Sequence, residues 1–186
     1  MYSSMKLFAC AFIFAQMLGT IHCSSYDNTD NWVISDKTYN FPENAVLGGI
    51  DSDGYYSYVG RTDYASSVLP ARVRAETGYA TFNNDSLGKR APYYELLVSN
   101  ATLTYHWVRS YDGFREKHAV SVGTTVQDER VYVCRAKTDG GIFIGTLYLS
   151  KRLCFIRDES FPLRQFSKYE VLVRKVTPVQ RAAINI

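Results

Sequence analysis

The sequence predicts an all-β protein in which two similar antiparallel sheet units share one core. The apolar stretches are short and rich in Tyr, Val, Ile and Phe, as at 55–59, 94–98, 130–133, 142–149 and 169–173. Turn-forming clusters separate them at intervals of roughly ten residues, among them Asp51-Ser52-Asp53-Gly54, Asn83-Asn84-Asp85, Tyr111-Asp112-Gly113 and Thr138-Asp139-Gly140-Gly141. No segment holds apolar residues at helical spacing for three turns.

The chain also repeats itself. Residues 31–61 return as 106–135, a spacing of 74 to 75 residues. Trp32-Val33 aligns with Trp107-Val108, Ala45-Val46 with Ala119-Val120, Gly49 with Gly123, and Tyr58-Val59-Gly60-Arg61 with Tyr132-Val133-Cys134-Arg135. The two stretches close alike, on 93–98 (YYELLV) and 168–173 (KYEVLV). Self-similarity at a fixed period indicates a repeated unit. The first unit is placed at 31–100 and the second at 106–175, followed by a tail at 176–186. No linker separates the units, so one core is expected.

Residues 1–23 read as a secretory signal peptide: Lys6, an apolar run from Leu7 to Leu18, then small and polar residues with a cut after Cys23. Twelve apolar residues are too few for about 30 Å of hydrocarbon, so no membrane span is expected. The expected location is secreted or within a secretory vesicle. The remaining 163 residues suffice for one domain with a core. Net charge falls from +3 to +2 on losing Lys6, and the cations are scattered, so no nucleic-acid tract is indicated. Asn84 and Asn100 head N-linked glycosylation triplets.

Two of the four cysteines, Cys10 and Cys23, lie in the signal. Cys134 and Cys154 remain, where the first unit has Gly60 and approximately Ala80. They are either a disulfide between facing strands or two buried thiols.

The chemical inventory excludes most enzyme classes. After the signal only His106 and His118 remain, neither flanked by ligands at metal spacing, and there is no nucleophile elbow and no phosphate-cradling glycine loop. The expectation is a protein without catalytic residues, metal or cofactor. Positions where the units differ are more informative. Asp51 and Arg72 stand opposite Thr125 and Thr146, so a fold common to both units does not need the charges. A turn aspartate and an exposed strand arginine would account for them. So would a polar site, since a carboxylate accepts and a guanidinium donates hydrogen bonds to neighbouring sugar hydroxyls. Tyr55, Tyr56 and Tyr58 would then offer ring faces to a pyranose, or else belong to the core.

The segment from Ala45 through Gly48-Gly49, Asp51, Asp53-Gly54 and Tyr58 to Arg61, with Leu69-Pro70 and Tyr94-Glu95, resembles a DM9 repeat. Residues 132–145 with Tyr169-Glu170 resemble a second. The resemblance implies two tandem DM9 repeats forming antiparallel sheets around one shared core. It further implies a lectin for mannose-type glycans acting in innate immune recognition, capable of forming a homodimer. In such lectins the sugar is held by the first aspartate of the D-x-D-G turn and a lysine of an L-P-G-K stretch. Those positions are Asp51 and Arg72 here, with Asp53 a further ligand-binding candidate. Ala71-Arg72 replaces Gly-Lys, which puts mannose specificity in question because the planar guanidinium is not equivalent to an ammonium. The alternative expectation is a secreted protein-interaction or structural component that binds no sugar.

Overall fold

The computed structural model describes residues 24–83, 88–158 and 161–177. The segment at 1–23 read as a signal peptide, Asn84 and the tail from residue 178 lie outside them. Among the described residues there are fourteen strands and no helix, so none is long and apolar enough to cross a membrane. All strand pairings are antiparallel, as the short alternating segments require.

In the first half, β3 (Tyr56–Tyr64) is the hub. It pairs with β2 (Leu47–Ile50), β4 (Ser67–Val73) and β7 (Tyr93–Leu97). Beyond these lie β1 (Trp32–Asp36) on β7, β5 (Ala80–Asn83) on β4, and β6 (Gly88–Ala91) on β5. The second half is built the same way around β10 (Arg130–Thr138). Its partners are β9 (Ser121–Thr124), β11 (Gly141–Tyr148) and β14 (Lys168–Val176), with β8 (Leu103–Tyr111) on β14, β12 (Leu153–Asp158) on β11 and β13 (Phe161–Phe166) on β12. Registers agree as well: Gly60 faces Ala71 and Leu96, while Cys134 faces Gly145 and Val171. The sequence similarity therefore extends to strand pairing.

The halves join where Ile50 of β2 meets Ile142 of β11. This contact depends on Gly49, because a Cβ there would collide with the Ile142 carbonyl. Gly49→Ala is expected to cost about 1–3 kcal/mol, read as a shift in the urea midpoint. No shift would mean β2 can slide without loss.

One apolar cluster draws on both halves, including Val46, Val59, Leu97, Val120, Val133 and Leu172. A second lies wholly in the first half around Leu69, Phe82 and Leu96, and a third in the second half around Leu147, Ile156 and Val171. The predicted shared core is present, with a satellite on each side.

Cys134 and Cys154 form a disulfide, which decides between the two readings the sequence left open. Asn100 is exposed at the β7–β8 connection, where its side-chain oxygen accepts from the Thr102 and Leu103 amides.

Candidate functional site

The β2–β3 turn is the starting point. Asp51 Oδ1 accepts from the Asp53 amide (3.0 Å) and the Tyr55 amide (3.1 Å). Gly54 completes the turn at φ 86°, a conformation glycine adopts without a Cβ penalty. This is the local reason for the D-x-D-G sequence: a short acceptor side chain mimics a backbone turn. It also fixes the second oxygen, Oδ2, in one direction, where it meets Arg74.

Arg72 comes from β4, between Val59 on one side and Thr81 on the other. Its side chain is almost wholly buried. The guanidinium lies 5.0 Å from the centre of the Phe143 ring and donates to Asp158 at 2.9 Å. Arg74 follows two residues later on the same face of the chain, as strand alternation requires. It also approaches Asp53 at 3.8 Å and the Tyr55 ring at 5.5 Å.

These groups line a cavity of about 400 Å³, whose wall includes Asp51, Asp53, Arg72, Arg74, Arg90, Tyr79, Phe143 and Asp158. All three residues singled out in the sequence face it. Asp51 and Arg72 both line it, but Asp51 pairs with Arg74 and Arg72 with Asp158, neither of which the sequence singled out. The signal for Arg74 was its two-residue offset from Arg72. Nothing local signalled Phe143 or Asp158, which arrive from β11 and β12 of the other half. Tyr55, Tyr56 and Tyr58 do not line the cavity; Tyr79 does. Tyr55 and Tyr56 are exposed, and Tyr58 packs on Phe41 beside the first-half core.

The other half shows what the turn needs. Thr125 Oγ1 accepts from the Gln127 and Glu129 amides at 3.3 Å each, as Asp51 does for its turn. The Thr125 amide likewise donates to the Glu129 carbonyl, matching Asp51 to Tyr55. A neutral hydroxyl thus suffices for the turn. The negative charge of Asp51 is surplus to local structure, and Thr146, opposite Arg72 in the alignment, is fully buried and neutral.

Among the described residues no group of three His, Cys, Asp or Glu side chains is placed to hold a metal. Fold and site together define an all-β, sheet-built protein with a charge-balanced polar cavity walled by both halves. Residues 51–165 match the DM9 repeat, and the chain belongs to the DM9 repeat family. No curated protein matches the chain. Among solved structures it is similar to the nematode sperm cell motility protein MFP2B, at 14% identity and a TM-score of 0.62, over 84% of this chain and 49% of that one. The chain thus spans about half the length of that protein, and the likeness is one of fold.

Proposed function

We propose that this chain binds glycans of mannose type through the β2–β3 cavity, without transforming them, as a secreted or vesicular component of innate immune recognition. The observation that carries the reading is that Asp51, Asp53 and Arg72 share one cavity with Arg74, Arg90 and Asp158, alternating acceptors and donors. Adjacent hydroxyls of a sugar each donate and accept one hydrogen bond, so they fit such a wall. Asp53, two-thirds exposed, and Arg74, one-third exposed, stand at the rim and meet the sugar first. Asp51 and Arg72 form the fixed floor. The repeated sequence and matching registers support a tandem duplication in which only the first unit kept charges at these positions. A single cavity gives weak monosaccharide binding, and a homodimer presenting two would supply avidity.

The test is a glycan array with the mature chain and the variants Asp51→Thr and Arg74→Ala. Asp51→Thr installs the side chain that serves the equivalent turn, and the ion-pair partner it loses, Arg74, is one-third exposed, so folding is expected to change by about 1 kcal/mol or less. Binding to mannose-terminated glycans is expected to fall at least tenfold in both variants. Unchanged binding in folded Asp51→Thr would remove the cavity from the proposal.

One observation favours a second reading, a protein-interaction or structural component that binds no sugar. The charges already satisfy one another, Arg72 with Asp158 and Arg74 with Asp51. Silence across the array from folded protein would select this reading.

A further inference from the structure

The comparison of halves that isolates Asp51 isolates a second face. On β10, β14 and β8, Arg135 pairs with Glu170 at 2.6 Å and lies over the Trp107 ring at 4.3 Å. The first half repeats this with Arg61, Glu95 and Trp32. That trio belongs to the fold. Its neighbours on the same face do not. Register places Arg109 beside Glu170 and Tyr111 beside Lys168, where the first half has Ile34 beside Glu95 and Asp36 beside Tyr93. Lys137, two residues beyond Arg135, corresponds to Asp63. The first half therefore presents two acids, an isoleucine and a tyrosine where the second presents three cations and a tyrosine.

Arg109, Lys137 and Lys168 are exposed, and none of their side chains has a hydrogen-bond or ion-pair partner among the described residues. They line a groove of about 580 Å³, with Ile142 and Tyr111 also on its wall. Three adjacent strands set the cations in rows about 5 Å apart. Tyr111 of the groove wall stacks on Phe114 at 6.4 Å between ring centres, the two being 62% and 56% exposed. The one carboxylate in the groove, Glu170, is held by Arg135, and Asp139 at the adjoining turn is drawn to Arg164.

We infer that this groove binds an acidic polysaccharide, a sulfated or carboxylated sugar chain, at a site separate from the β2–β3 cavity. The cations meet successive anionic groups, and the tyrosine platform takes a sugar ring. Glu170 favours a sugar among polyanions: Arg135 holds one of its oxygens, and the carboxylate, one-third exposed, has room to accept from a hydroxyl as well. Sugars carry such donors between their charges; the DNA backbone has none.

The test measures binding of the mature chain to immobilised dextran sulfate and to neutral dextran of equal length. The expected result is salt-sensitive binding to dextran sulfate alone. The triple variant Arg109→Gln/Lys137→Gln/Lys168→Gln should lose at least tenfold in affinity. Lys137→Arg/Lys168→Arg should retain it, as should Lys37→Gln/Lys117→Gln/Lys175→Gln, which removes as many charges elsewhere. Asp51→Thr should bind dextran sulfate as the native chain does, so failure here is distinguishable from failure at the cavity. Equal loss in both triple variants would reduce the effect to net charge and overturn the site. Equal affinity for single-stranded DNA of matched charge would overturn the ligand class.

Discussion

Replacing Arg61 with methionine is expected to destabilise the protein by about 3–5 kcal/mol, the range for leaving one partner of a buried ion pair uncompensated. Arg61 is 2% exposed. Its Nε donates to Glu95 at 2.5 Å, and Nη1 donates to the carbonyls of Asp27 (2.6 Å) and Val122 (3.1 Å). Nη2 donates to Asn28 at 2.9 Å. The Tyr26 and Trp32 rings lie 4.6 and 4.5 Å from the guanidinium. Burial pushes the Arg61 pKa below its ordinary value, and the Glu95 hydrogen bond and charge oppose that shift. One side chain thus ties β3 to β7, to the segment at 24–31 and to β9 of the other half. Methionine matches the apolar stem but abandons two carbonyls and a carboxylate. The double variant Arg61→Met/Glu95→Met should regain part of the loss, since it removes the orphaned charge. Arg135 makes the same bonds to Glu170 and to the Gly48 carbonyl, yet its side chain is 18% exposed. Water can replace some of its partners, so Arg135→Met should cost less. Urea unfolding of the three variants checks the order, and equal midpoints for Arg61→Met and native protein would discard the argument.

Removing the disulfide should cost about 3 kcal/mol, the chain-entropy value for a loop near its 20-residue separation. Cys134 and Cys154 belong to β10 and β12, which flank β11. In a flat sheet those strands would lie about 10 Å apart, whereas the two Cα atoms are separated by 6.1 Å. The sheet turns sharply here around Gly145, where a Cβ would collide with the Phe155 carbonyl. The first half makes the equivalent corner with Gly60, Ala71 and Ala80, all small, and needs no covalent link. Cys134→Ala/Cys154→Ala should therefore fold, with a lowered urea midpoint that reducing agent does not change further. The native protein should fall to the same midpoint under reductant. A reductant-insensitive native midpoint, with thiols shown to be free, would contradict this expectation.

Much of the fold was legible because β structure leaves local marks. The turn at 51–54 and the strands from 56, 130, 141 and 168 follow from alternation and from residues that accept their own backbone amides. The short strands β1, β2, β5, β6, β9, β12 and β13 were not read, since four to six residues carry little periodicity. In the site, the difference between halves singled out Asp51 and Arg72. It was blind to Asp158, which is 86 residues from its partner Arg72. The Arg61 and Arg135 contacts to carbonyls across the halves were equally hidden.

The sequence by itself determined the β class, the internal repetition, and which charges the repeated pattern can do without. Each is a property of neighbours or of aligned positions, and propensity and comparison reach that far. Only the tertiary structure decided that β2 of one half lies on β11 of the other, that the cysteines meet over Gly145, and that the cavity is walled by both halves. Those outcomes depend on which strand edges approach closely enough to pair. That is set by close packing of side chains distant in sequence, such as Val46 and Leu172 in one shared cluster, and no local pattern encodes it.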